Sequence, residues 1–285
     1  MQTIDLVFHD GSRNKLQYVA PPEGSVPADF SVLLLPALGV RASYYEPFVR
    51  ALSQRGIPAC SLDWRGHGLS SLRPSRRHDW GYRELVQDTR EALEEMKALF
   101  PGQQNMIIGH SLGGQIGSLV AARYPELVQY LVLMAACTVY DQSWQGVGRL
   151  RVAFAVRAFA PLSRLLGHFP GDKLGFGGRE AKGVMRDWSY NGRTGEYAPA
   201  GDTFNYEGAL RKTRLPVLAL NMQQDEMAPE AATRHLLSKF GGQELISMKV
   251  VSAQEAGVPR LNHFNWAKQP DFFVDQILQW KQALA

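Results

Sequence analysis

Cysteine is almost missing from this chain: 285 residues include two, Cys60 and Cys137, each in an apolar segment with no CxxC or Cys/His spacing around it. That excludes a disulfide framework and gives no support for a thiolate metal site, so both read as buried free thiols. Long hydrophobic runs are missing too. The longest, "SVLLLPALGV" and "YLVLMAA", fall well short of the roughly 20 apolar residues that span a bilayer, so no stable membrane insertion is expected. The opening "MQTIDLVFHDGS" has no basic segment followed by an apolar one, so no secretory signal is read there and the cytoplasm is the expected location. Charge is nearly balanced at +4, and the basic residues are scattered apart from "RPSRR" at 73–77. With no helix-turn-helix, zinc-finger or RNP-like pattern beside them, nucleic acid is not an expected partner, and "RPSRR" reads as a solvated turn.

What the chain does have is apolar residues, 45% of the total, enough to fill one sizeable core. They fall in short runs that alternate with helical stretches, the pattern of a mostly parallel sheet covered by helices on both faces, an α/β architecture. Three strands come first, "TIDLVF", "LQYVA" and "SVLLLPA". "YYEPFVRALSQRG" then has helical spacing and stops at Gly56 before the strand "IPACSLDW". "YRELVQDTREALEEMKALF" is the clearest amphipathic helix, ended by Pro101-Gly102 before the strand "NMIIGH". Helix "LGGQIGSLVAARYP" and strand "VQYLVLMAA" follow. Between about residues 138 and 212 the alternation breaks: glycines, tryptophans and arginines mix with one apolar helical piece, "GRLRVAFAVRAFAPLSRLL". It resumes with strand "LPVLALNM", helix "PEAATRHLLSKF", strand "LISMKVVSA" and helix "DFFVDQILQWKQAL". One sheet therefore spans an insertion: residues 1–137 and 213–285 form the core, and 138–212 the inserted segment. No repeat or linker argues for two independent domains.

Gly109-His110-Ser111-Leu112-Gly113 fits G-x-S-x-G and lies between a predicted strand and a predicted helix. A strand that turns sharply into a helix pushes the serine hydroxyl out at the sheet edge, and glycines on either side let the two backbones approach. The helix amino end offers N–H groups to a developing oxyanion, Leu112 most directly. A glycine-rich strand-to-helix connection without chemistry has the same local pattern. A serine hydroxyl is a weak nucleophile alone, so a base and an orienting acid must be found.

Of seven histidines, His263 in "LNHFNWAKQP" follows the last strand and precedes the last helix, at the carboxyl end of the sheet. His110 adjoins the serine and so points away from its hydroxyl, His235 lies within a helix, and His9, His78 and His168 have no supporting context. His67, in "DWRGHGLSS", also follows a strand and is the competitor. For the acid, Asp225 in "NMQQDEMAP" follows its strand and precedes a helix start, with Glu226 and Asp141 as alternatives. The order Ser111, Asp225, His263 is that of hydrolases of this architecture, in which the carboxylate holds the imidazole in the right tautomer.

Through "GHSLGG", "DWRGHGLSS", "DEMAP" and "NHF" the sequence resembles the α/β-hydrolase superfamily over nearly its whole length. "PALGVRASYYEPF", "RRHDWGY" and "GVMRDWSYNG" resemble a group of bacterial predicted hydrolases with no assigned substrate. The resemblance implies a serine esterase or lipase-like enzyme with no cofactor, and a helical lid in the inserted segment. It also implies a second oxyanion donor at Leu38, the residue after the pair that reads His-Gly in many relatives and Pro36-Ala37 here; proline has no N–H, and Pro36 lacks the ordering that a histidine side chain gives the loop. Two further departures are Gln223-Gln224 where a glycine often precedes the acid, and Asn262 where a glycine usually precedes the base.

The expected chemistry is attack by Ser111 on an ester-type carbonyl, with thioester and amide as further options. His263 shuttles the proton, Asp225 orients it, and Leu38 and Leu112 N–H groups hold the oxyanion. The expected partner is a small, apolar acyl substrate. An acyltransferase would use the same triad, and a silent binding protein the same fold. Trp144, Phe154, Phe159, Phe169, Phe176, Trp188 and Tyr190 could line an apolar pocket or simply pack the lid. Arg149, Arg151, Arg157 and Arg164, interleaved with apolar residues, fit a lid helix with solvated arginines, an interfacial helix or contacts to an acidic substrate.

Overall fold

The computed structural model describes residues 1–26 and 28–284. In chain order its strands are β1 (Gln2–Val7), β2 (Arg13–Val19), β3 (Phe30–Leu35), β4 (Ala59–Leu62), β5 (Gln104–His110), β6 (Tyr130–Met134), β7 (Phe169–Pro170), β8 (Arg179–Glu180), β9 (Val217–Met222) and β10 (Ile246–Val251). Eight of them form one sheet in the order β1-β2-β4-β3-β5-β6-β9-β10, and β7 and β8 pair separately. Those eight are the strands read from the sequence. Within that sheet only β2 pairs antiparallel with its neighbours and every pairing beyond β4 in the order is parallel, while the separate β7/β8 pair is antiparallel.

The helices are α1 (Glu46–Gln54), α2 (Tyr82–Leu99), α3 (Leu112–Arg123), α4 (Gly146–Leu166), α5 (Gly171–Leu174), α6 (Lys182–Thr194), α7 (Tyr206–Leu210), α8 (Glu230–Leu237) and α9 (Pro270–Gln282). The central strands are apolar without alternation because both faces are covered. Leu33, Leu35, Ile107, Leu131 and Leu133 point into one core with α2 and α3; Val32, Leu34, Met106, Ile108 and Val132 point into the other with α1 and α9. Each such side chain contributes about 1.5–3 kcal/mol on burial.

The inserted segment is more ordered than the sequence suggests. Where one helical piece was read, four helices, α4 to α7, and the β7/β8 pair are found. The longest one missed is α6, whose Gly183 and Gly192 lower its apparent helix propensity. Both glycines serve packing: a Cβ on Gly192 would lie 2.2 Å from Val156 of α4, and one on Gly183 2.3 Å from the Trp80 carbonyl oxygen. Asp187 of α6 is buried and accepts the Tyr82 N–H at 2.9 Å, capping the amino end of α2, where a negative charge is favoured. Helix α6 is thus fastened to α2 through a helix cap.

Candidate active site

Parallel strands deliver their carboxyl ends to one edge, and there β5 turns into α3 through a single residue, Ser111. Its backbone sits at φ 53° and ψ −113°, a conformation that costs a non-glycine residue about 1–3 kcal/mol. The neighbouring glycines make the turn possible. A Cβ on Gly109 would approach the Gly113 carbonyl carbon to 2.4 Å, and one on Gly113 would lie 2.2 Å from the Leu35 oxygen. The Ser111 N–H donates to the Met134 carbonyl of the adjacent strand at 3.1 Å, which holds the turn against the sheet. Among the described residues, the Ser111 hydroxyl has no hydrogen-bond partner, and neither the Leu38 nor the Leu112 N–H meets a protein acceptor.

Asp225 follows β9 and His263 follows β10. The His263 Nδ1 lies 2.7 Å from Asp225 Oδ2, and both residues are buried. A carboxylate only accepts, so Nδ1 carries the proton and Nε2 is left as the acceptor. The other oxygen, Oδ1, accepts the Met227 and Ala228 N–H groups at 2.8 and 3.0 Å, so the carboxylate cannot rotate without losing three bonds. The competing acids lie elsewhere. Asp141 is paired to Arg157 at 2.6 Å, and Glu226 is exposed. No hydrogen bond joins His263 to Ser111 among the described residues; in substrate-free enzymes this contact is commonly long and tightens on binding.

His110 has a place that sequence reasoning missed. Tyr45 Oη accepts the Ala37 N–H at 3.1 Å and lies 2.6 Å from His110 Nδ1, so the phenol donates to the ring. Burial, and then the repulsion that a second charge beside the His263 ring would meet, push the His110 pKa well below the usual histidine value, which keeps it the neutral acceptor that Tyr45 requires. Its ring stacks obliquely on His263, with centroids 4.9 Å apart. Tyr45 and His110 therefore tie the Pro36–Gly39 loop, the serine turn and the histidine loop together. Nothing in "YYEPF" marks Tyr45 as more than a core aromatic.

His67 does not approach the serine through any hydrogen bond; its Nε2 is 3.0 Å from Glu180 Oε2 in the inserted segment. Glu180 also accepts the Gly178 N–H at 2.8 Å, and Gly177 and Gly178 lie directly against Leu38 and Gly39. Burial opposes protonation of His67, but the Glu180 hydrogen bond and charge, with Asp63 adding to them, raise its pKa above the usual value. A raised folded-state pKa gives stability that is full below the unfolded value of about 6.5 and is lost as pH climbs through the folded value. Glu180→Gln is therefore expected to be less stable than wild type by on the order of 1 kcal/mol near pH 6. At alkaline pH, with the imidazole neutral, the gap should shrink. Urea midpoints at the two pH values check this, and a gap that does not shrink contradicts the assignment.

The aromatic residues of the insertion divide. Phe159, Phe169, Phe176 and Trp188 pack on one another, with Phe159 and Trp188 stacked at 5.9 Å, and form its interior. Trp144 is buried and donates to the Glu226 carbonyl at 3.2 Å, while Phe154 faces outward.

A sheet of this order, with a serine on a strained strand-to-helix turn, defines an α/β-hydrolase. The family model described as serine aminopeptidase, S33, matches residues 27–184. The chain belongs to that family of serine hydrolases. It is 26% identical over 222 residues to a serine hydrolase of Mus musculus, covering 76% of this chain and 70% of that protein. A monoacylglycerol lipase of Mycolicibacterium smegmatis is 26% identical over 270 residues, 87% of this chain and 86% of the lipase. Among solved structures, an esterase from Exiguobacterium antarcticum superposes with a TM-score of 0.64 at 14% identity, covering 98% and 99% of the two chains. The family match includes Ser111 and ends before Asp225 and His263, whose pairing is a matter of geometry.

Proposed function

We propose that the protein hydrolyses carboxylic esters of small apolar acids through an acyl-enzyme on Ser111. His263 Nε2 takes the hydroxyl proton as the oxygen attacks the ester carbon, then returns it to the departing alcohol. Water, deprotonated by the same nitrogen, releases the acid. Asp225 holds the imidazole and stabilises its charged form. The N–H groups of Leu38 and Leu112 receive the oxyanion, a contribution of about 3–4 kcal/mol per donor in such sites. Residues 1–137 and 213–285 act as the catalytic core and 138–212 as a lid whose loop at Gly177–Gly178 rests on Leu38.

The observation that supports this reading most is the buried His263–Asp225 hydrogen bond, which leaves Nε2 as the acceptor a serine base must present. Relatives named as esterase and lipase support the ester as substrate class. A fluorophosphonate probe, combined with a panel of p-nitrophenyl esters of increasing acyl length, tests it. Covalent labelling mapped to the Ser111 peptide and measurable ester turnover are expected. A chain that stays unlabelled, or is labelled elsewhere, overturns the proposal.

A further inference from the structure

The helix α4 is built the wrong way round for a helix that meets only water. Its 21 residues include four arginines and no acid. Its inward side, Val152, Val156 and Phe159, packs on the rest of the molecule. Its outward side carries Val147, Leu150, Phe154 and Leu165 at exposures of 64%, 70%, 70% and 70%. At 100° per residue these four positions fall within about 60° of arc, one continuous apolar stripe. Arg151 borders the stripe on one side and Arg157 and Arg164 on the other. Arg157 is engaged by Asp141, whereas Arg149, Arg151 and Arg164 have no acidic partner among the described residues.

At the carboxyl end of the stripe, beside Pro161 and Leu165, a cleft of about 840 Å³ opens between α4, α6 and the turn at 73–79. Arg76, Arg164, Lys182, Arg186 and Arg193 line it, against the single carboxylate of Asp79. Asp79 is 3.8 Å from Lys182, and Arg186 is paired with the buried Asp187 at 3.1 Å. Arg164 and Arg193 have no acidic partner among the described residues.

We infer that α4 and this cleft form a docking face for an anionic lipid surface. The stripe enters the boundary between headgroups and acyl chains, and the flanking arginines and the cleft take lipid phosphates. Charge decides among the occupants. A second copy would bring one acid-free, four-arginine helix against another, while an anionic bilayer complements both the stripe and the cations. Attachment is peripheral, since among the described residues no helix is long and apolar enough to cross a membrane. The face lies beside the candidate site: Trp144, two residues before α4, is bonded to Glu226, and the adjoining Met227 is exposed. The inference does not depend on the identity of the catalytic residues.

Co-sedimentation with vesicles tests it. The protein should bind vesicles rich in phosphatidylglycerol, leave vesicles of phosphatidylcholine alone in the supernatant, and be released as salt is raised. The double variants Leu150→Glu/Phe154→Glu and Arg164→Glu/Arg193→Glu, all at positions on the outer surface of the insertion, should each weaken vesicle binding by on the order of tenfold or more. Their thermal midpoints should match wild type, which separates lost docking from lost folding. Equal binding to both kinds of vesicle, or undiminished binding by both variants, overturns the inference. So does the finding, by light scattering, of a dimer that Phe154→Glu dissolves in a protein that binds no vesicles; α4 would then be the contact between two copies.

Discussion

Ser111→Ala is expected to fold as the parent does and to lose ester turnover by on the order of a thousandfold or more, about 4 kcal/mol of transition-state stabilisation. The fold should survive because the hydrogen bonds of Ser111 among the described residues use its backbone: the N–H on Met134, and the carbonyl receiving the Gly114 and Gln115 N–H groups at 3.0 and 3.3 Å. Alanine meets the same backbone strain at φ 53° as serine, having the same Cβ. What disappears is the one oxygen that projects from the turn. Turnover of purified variant and parent on the best ester of the panel, with circular dichroism for folding, gives the answer. Near-parental turnover in a folded variant removes Ser111 as nucleophile.

Asp225→Asn should cost about four orders of magnitude in kcat while leaving KM close to the parent's. The substitution keeps the shape and reverses one hydrogen bond. An asparagine oxygen in the place of Oδ1 still accepts the Met227 and Ala228 N–H groups, which directs the amide NH₂ at His263 Nδ1. That nitrogen must then accept, the ring proton moves to Nε2, and the histidine can no longer take a proton from serine. Asp141→Asn is the control, since its carboxylate serves the Arg157 pair. A large loss in Asp141→Asn with little in Asp225→Asn would transfer the orienting role.

The sheet was legible because its strands are buried on both faces and so read as short, unbroken apolar runs between turn signals. That Ser111, Asp225 and His263 each follow a strand of the sheet was legible for a related reason: in a parallel sheet, each loop after a strand opens at the same edge, so position in the chain translates into position in space. Pairings between distant loops have no such translation. Tyr45 with His110, His67 with Glu180 and Asp187 with the amino end of α2 each join segments that local pattern treats separately. The α6 helix was illegible because the glycines that let it lie against Trp80 and α4 are the residues that disguise it.

Strands β6 and β9 are neighbours in the sheet, yet residues 135–216 lie between them. β3 to β6 and their helices all precede that connection in the chain, so their pairings are expected to form before this one. The chain emerges from synthesis in the same order. The serine turn can therefore be complete while the segment that holds both Asp225 and His263 is still unpaired, and a partly folded molecule presents a hydroxyl with nothing to take its proton. On the proposed mechanism the enzyme is inert until its last strands dock, so recovered activity on refolding reports the closing of the sheet across the insertion.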